Sequence, residues 1–292
     1  MNTSLLTIEN GFDLLDGTKI PRVGFGTYQL EAGATTEAAV AAALEAGYRH
    51  VDAARLYANE RYTGKALAEC GIPRNQLFVT SKVWNDRQMQ GPDAIRASVE
   101  QSLAALRLDH LDLLLIHWPV AGRYRHTWEV FQRLQEEGLT TSIGVSNFTA
   151  GHLQDLLSDG SPTPVVDQME HHPYMQDTEA LNLCRELGIR YEAWSPFFRG
   201  KCLDDPVLQG IAEAHNATTA QVIVAWLNHT GVVALPRSSK PQRVRENLRG
   251  LELQLTAKDL EAIEGLNRGQ YLHEDSTPYN FARLDGITSP VD

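Results

Sequence analysis

Apolar positions along this chain fall into two alternating rhythms: short, strand-length apolar runs, and longer segments with helical spacing. Residues 5–20 alternate around Asp16-Gly17, a hairpin turn signal, and this hairpin is expected to plug one end of the fold. Val23-Gly24-Phe25-Gly26-Thr27-Tyr28 reads as the first strand and its exit loop. Thr36 is placed to cap an Ala-rich helix over 37–46, and the chain then enters a short strand ending at Asp52. A helix over 59–70 stops at Gly71-Ile72-Pro73, before a strand over 77–82. The clearest helix carries Ile95, Val99, Leu103 and Leu106 on one face. The pattern continues with strand 111–116, helix 127–137, strand 140–145 and helix 149–158. Strand 165–169, helix 178–187 and strand 189–194 follow, then helical segments at 206–215 and 218–229. Strand 231–235, helix 241–249 and helix 256–265 complete it.

Eight strands alternating with helices, without a long linker or low-complexity segment, predict an α/β fold: a (β/α)8 TIM barrel forming a single domain over 1–292. The N-terminal β-hairpin precedes the barrel, and the C-terminal stretch from about 268 to 285 is expected to form a loop over the active-site mouth. A doubly wound sheet is the alternative, but Gly24-Phe25-Gly26 lacks the third glycine of the dinucleotide fingerprint.

A net charge of −11 argues against nucleic acid or an anionic membrane as a partner, since both reward excess Lys and Arg. No apolar run approaches the roughly 20 residues of a membrane helix. The N-terminus lacks a signal-peptide pattern, and the three widely spaced cysteines form no disulfide or zinc framework. A cytoplasmic monomer is the expectation. His171-His172 does not suggest a metal site, because neighbours in an extended strand point to opposite faces.

The chemistry gathers at strand ends. Asp52, Lys82 and His117 close three successive strands, and Tyr57 follows Asp52 by five residues. In a barrel these ends converge on one mouth. Alone, each has an ordinary reading: a structural ion pair for Asp52 and Lys82, a polar cap for His117, a boundary tyrosine for Tyr57. Together they form a proton-handling set. Tyr57 is a phenol able to donate to a developing alkoxide. Lys82 is expected to lower its pKa, Asp52 to keep Lys82 charged, and His117 to orient a carbonyl.

The stretch Gly47-Tyr48-Arg49-His50-Val51-Asp52-Ala53-Ala54-Arg55-Leu56-Tyr57 resembles the signature of the aldo-keto reductase family, as do Ser81-Lys82-Val83-Trp84-Asn85 and Ile116-His117-Trp118-Pro119. Gly144-Val145-Ser146-Asn147-Phe148 and Pro236-Arg237-Ser238 continue the likeness, which is nearest to the bacterial 2,5-diketo-gluconate reductase branch. It implies NADPH-dependent reduction of small carbonyls such as methylglyoxal, keto-sugars or keto-sugar acids, with Asp52, Tyr57, Lys82 and His117 catalytic.

None of those four side chains can deliver a hydride, whereas a nicotinamide can. Ser146, Asn147 and Gln168 offer hydroxyl and amide groups to its carboxamide, and Trp194 offers a flat face. Arg237 and Arg243 precede or open a helix after the eighth strand, a place suited to phosphate. By resemblance, Gly26 and Thr27 border the nicotinamide and Ser195 belongs to the cofactor set. Arg237, Ser238 and Arg243 hold the 2′-phosphate of NADP(H), and Glu246 and Asn247 the adenine. Tyr28, Trp84 and Trp118 are the expected substrate-pocket residues. Arg123, Arg125 and His126 are expected to favour acidic keto-sugars, with a solvated loop as the plain alternative.

Two positions depart from the family pattern. Ala53 stands where Thr is usual, and Asp167 stands where Asn is usual, with the expectation that its charge disturbs the pocket near Gln168. Two other functions remain: a Schiff-base lyase using Lys82, and a non-catalytic barrel that senses NADPH.

Overall fold

The computed structural model describes residues 7–272. A two-stranded antiparallel hairpin, β1 (Phe12–Asp13) and β2 (Lys19–Ile20), comes first. Asp16 shapes its turn by accepting from the Thr18 amide at 3.0 Å. Eight parallel strands then form one sheet in chain order. These are β3 (Gly24–Gly26), β4 (His50–Asp52), β5 (Phe78–Val83), β6 (Leu111–Ile116), β7 (Thr140–Ser146), β8 (Val166–Glu170), β9 (Arg190–Trp194) and β10 (Val233–Leu235). A parallel bridge between Val23 and Ala234, and the Gly26 amide donating to Pro236 O at 3.1 Å, bring the last strand back to the first. The described residues therefore form a (β/α)8 barrel.

Helices alternate with the strands: α1 (Ala34–Ala46), α2 (Glu60–Glu69), α3 (Asn85–Gln90), α4 (Pro92–Leu106), α5 (Tyr124–Glu136), α6 (Ala150–Leu157), α7 (Thr178–Leu187), α8 (Pro206–Ala214), α9 (Thr219–His229), α10 (Pro241–Leu248) and α11 (Ala257–Glu264). Most match the apolar periodicity to within a few residues. Thr36 is not the cap of α1: the helix starts earlier, after Gly33, and the Thr36 hydroxyl donates to Glu31 O at 2.7 Å. The short helix α3 carries no apolar stripe that would announce it. The family-variant Asp167 lies on the face of β8 opposite Gln168, buried behind the sheet, so it does not disturb the Gln168 pocket.

Two cores result. The larger lies between sheet and helices. The smaller fills the barrel interior at the hairpin end, where Leu14 and Ile20 meet Phe78, Leu113, Leu115, Val166 and Val233. The hairpin thus plugs the barrel floor with apolar side chains, as its position in the sequence implies. Above that floor the inward positions turn polar. Residue 24 must be glycine here, because a Cβ would stand 2.5 Å from both His50 Nδ1 and Leu235 Cδ2.

Candidate active site

Strand register assembles the site. Gly26 pairs with Asp52 and Asp52 with Thr80, while Lys82, two residues further along β5, pairs with Leu115 of β6. Inward side chains of adjacent strands therefore end at one rim. Lys82 is buried, and its ammonium donates to both Asp52 oxygens at 2.7 Å, to Ala53 O at 2.9 Å and to Tyr57 Oη at 3.3 Å. Tyr57 closes a turn of 3-10 helix over Arg55–Tyr57. Asn59 anchors that loop by donating to Thr27 O at 2.8 Å and Leu30 O at 3.2 Å. The His117 ring stands edge-on to Tyr57 at 5.7 Å and to Trp84 at 4.8 Å between centroids. Tyr28 packs on Tyr57 at 5.0 Å. All four proton-handling residues meet at the same place.

Their electrostatics differ in one respect from the sequence expectation. Burial, then the Asp52 carboxylate and then Tyr28 and Glu192, push the Tyr57 phenol well above its ordinary range. Lys82 does not achieve the expected lowering, because its charge is matched by both oxygens of Asp52. Tyr57 is therefore a firmly protonated acid. Burial first, and the positive charge of Lys82 second, hold the His117 imidazole well below its usual value, so it is neutral.

A cavity of 830 Å³ opens over this rim. Tyr28, Trp84 and Trp118 give it an aromatic wall. Ser146, Asn147, Gln168, Trp194 and Ser195 also line it, as do Arg237, Ser238, Arg243, Glu246 and Asn247. Asn147 is held tightly: its amide nitrogen donates to His117 O at 2.8 Å, and its oxygen accepts from Trp194 Nε1 at 2.9 Å. Its backbone is left-handed, with φ of 64°, as is that of Ser195 at 51°. Gln168 donates to Asp52 Oδ2 at 2.9 Å and to Glu192 Oε2 at 2.7 Å.

Gly26 lines the cavity; Thr27, next to it, is buried and donates to Asp52 O at 2.9 Å. Arg123, Arg125 and His126 lie at the start of α5 and outside the cavity lining. Arg125 is engaged by Asp155, Asp159 and Ser158, and His126 by Glu129. The expected lid lies largely outside the described residues. Leu272, the last described residue, lines the cavity and donates its amide to Glu170 Oε1 at 2.6 Å.

The sequence reading missed Glu192, His50 and Arg199. The first two stand two residues before Trp194 and Asp52 on the same inward faces, a signal that strand alternation makes available. Arg199 joins Arg237, Lys240 and Arg243 along the cavity. Burial, and then the nearby charge of Arg199, lower the Arg237 guanidinium. Cations crowded together beside the start of α10 suit a polyanionic cofactor, while Trp194 and the three amide- and hydroxyl-bearing residues suit a planar carboxamide-bearing ring. The residues present thus fit a phosphorylated nicotinamide dinucleotide. Among the described residues no group of His, Cys, Asp and Glu is arranged to hold a metal ion.

Comparison with known proteins agrees with this geometry. The family model described as "Aldo/keto reductase family" matches residues 22–268. An aldo-keto reductase of Mycolicibacterium smegmatis is 43% identical over 270 residues, covering 92% of this chain and 97% of that protein. The glyoxal reductase of Bacillus subtilis is 40% identical over 264 residues, covering 90% and 95%. The crystal structure of a Bombyx mori aldo-keto reductase in complex with NADP superposes with a TM-score of 0.85 at 34% identity, covering 91% of this chain and 95% of the other. Barrel, rim and relatives agree, and the chain belongs to the aldo/keto reductase family.

Proposed function

We propose that the protein reduces small aldehydes and ketones to alcohols with NADPH, and that Tyr57 supplies the proton. The observation that carries this reading is the buried Lys82 ammonium, shared between Asp52 and the Tyr57 hydroxyl, both of which line the cavity. The glyoxal reductase of Bacillus subtilis and the NADP complex of the Bombyx mori protein support the reaction class and the cofactor. The cofactor, when bound, supplies hydride to the carbonyl carbon.

The residues of this chain do the rest. Trp194, with Ser146, Asn147 and Gln168, would hold the nicotinamide end; Arg237, Ser238 and Arg243 would hold the phosphate, and Glu246 and Asn247 the adenine. Neutral His117 donates a hydrogen bond to the substrate oxygen. Tyr57 keeps its proton until negative charge develops on that oxygen, then releases it, and the phenolate that remains lies beside Lys82. Water at the mouth restores the phenol.

Tyr28, Trp84 and Trp118 suit a small carbonyl with little charge. With Arg125 committed to α6 and the turn after it, methylglyoxal and neutral keto-sugars fit this pocket better than keto-sugar acids. Lys82 already donates to Asp52, Ala53 and Tyr57, which leaves no free amine for Schiff-base chemistry.

The test is NADPH consumption across methylglyoxal, an aromatic aldehyde and 2,5-diketo-gluconate, with Tyr57→Phe alongside. Loss of the phenolic proton should lower kcat by a factor of about 10²–10⁴ while cofactor still binds. A Tyr57→Phe enzyme as fast as the parent would refute the assignment. Tight NADPH binding without turnover by the parent would favour a sensor instead.

A further inference from the structure

Below the rim the barrel holds a second carboxylate that the reaction above does not use. Glu192 lies fully buried in the middle of β9, in register with Gln168 on β8 and Val233 on β10. The Gln168 amide nitrogen donates to Glu192 Oε2 at 2.7 Å and to Asp52 Oδ2 at 2.9 Å, so one amide spans two carboxylates. The cation facing them is Lys82, already paired with Asp52. Two buried carboxylates with one ammonium leave a negative charge that burial penalises.

The other oxygen of Glu192 shows how the imbalance is relieved. Glu192 Oε1 has no hydrogen-bond partner, and neither has His50 Nδ1. These two atoms face each other at 3.6 Å. The His50 ring is anchored on its far side, with Nε2 3.0 Å from Thr80 Oγ1. A proton on Glu192 Oε1, directed at His50 Nδ1, satisfies both atoms after a small rotation of the carboxyl group. We propose that Glu192 is a positioning residue for the reduction: it shares a buried proton with His50 and, through the Gln168 amide, governs the negative charge beside Asp52 and hence how readily Tyr57 releases its proton. This rests on Tyr57 being the acid.

The ionisable groups facing Glu192 are His50 and Asp52 from β4, Lys82 from β5 and Tyr57 at the rim. Strand β10 contributes apolar Val233, and β3 contributes glycine. Burial first, and Asp52 second, push the Glu192 carboxyl up to about 8, against the opposing pull of Gln168 and Lys82. Burial and Lys82 push His50 down to about 3, so the shared proton resides on the carboxyl. The Glu192 charge is one of those that tighten the hold of Tyr57 on its proton. As pH rises through about 8, Glu192 loses its proton to water and Tyr57 becomes a weaker donor.

The experiment is the single-turnover rate of NADPH oxidation with an aldehyde from about pH 6 to about pH 9.5, each profile normalised to its own low-pH plateau. The parent should slow roughly three- to ten-fold across an inflection that Glu192→Gln lacks. An inflection of the same size in Glu192→Gln overturns the proposal. If that variant does not fold, Glu192→Met, which fills similar space without a polar atom, carries the same expectation. A second readout needs neither turnover nor cofactor. The infrared difference between parent and variant should show a protonated carboxyl at low pH that disappears at high pH; a carboxylate at both overturns the proposal. Tyr57→Phe separates the two ideas. If it turns over normally, the acid is misassigned; if it is inactive while Glu192→Gln keeps the parent inflection, only the role of Glu192 fails.

Discussion

Lys82 and Tyr57 touch, yet replacing them should cost the fold very different amounts. Lys82 has a fully buried side chain and is the counter-charge of Asp52. Lys82→Met strands a buried carboxylate with only the Gln168 amide to hold it, a loss of roughly 3–5 kcal/mol. Tyr57→Phe removes one hydroxyl at the cavity surface and should cost about 1 kcal/mol. Denaturant titration of the two variants checks the contrast, and equal losses would mean that the ion pair is not what braces the rim. The four rim residues were legible in the sequence because each stands at or just beyond a strand end. Glu192 and His50 were not given roles, because a charged residue inside a strand acquires meaning only from what lies across the barrel. The Gln168 bridge to Asp52 joins residues 116 positions apart. The direction of the Tyr57 shift was equally hidden, since it depends on how completely Asp52 neutralises Lys82.

Among the elements, the close crossing of α2 and α4 has a single requirement. A Cβ on Gly64 would lie 2.3 Å from Ala105 O, a backbone atom that cannot swing aside. Gly64→Ala should therefore destabilise by roughly 1–3 kcal/mol, while kcat and KM of the folded enzyme stay near the parent values. Thermal melts and steady-state kinetics on one preparation decide it; unchanged stability would show that the helices shift apart freely. Element order was readable from periodicity, and boundaries erred where capping differs from composition. Thr36 looked like a cap but bonds backward to Glu31, and α5 begins three residues before its expected start, drawing Arg125 onto a helix that faces α6.

The molecule as a whole stores protons in its interior. Burial raises the carboxyls of Glu60, Asp167 and Glu192, the last to about 8. A folded-state acid with a raised pKa keeps a proton that the unfolded chain has lost, so stability falls as pH climbs from the unfolded value near 4 toward the folded one. His50 and His171, pushed down to about 3, act oppositely between there and the unfolded value near 6.5. Above about 6.5 only the acids remain, and unfolding free energy should decline toward pH 8. Asp167→Asn, the neutral counterpart of the buried acid, should gain on the parent as pH rises. Denaturation at about pH 5 and about pH 8 reads this directly, and a constant difference between the proteins would show that Asp167 does not titrate with unfolding.

The apolar floor made by Leu14 and Ile20 beneath the barrel bears on all of this. It works as a stopper at the hairpin end of the barrel interior that holds His50 and Glu192. Were that seal lifted, moisture would rise from below into the His50 level, and Glu192 would relax toward the behaviour of a free amino acid. A hairpin at the far end of the cylinder from the reacting carbonyl thereby helps to set the acidity available at the top.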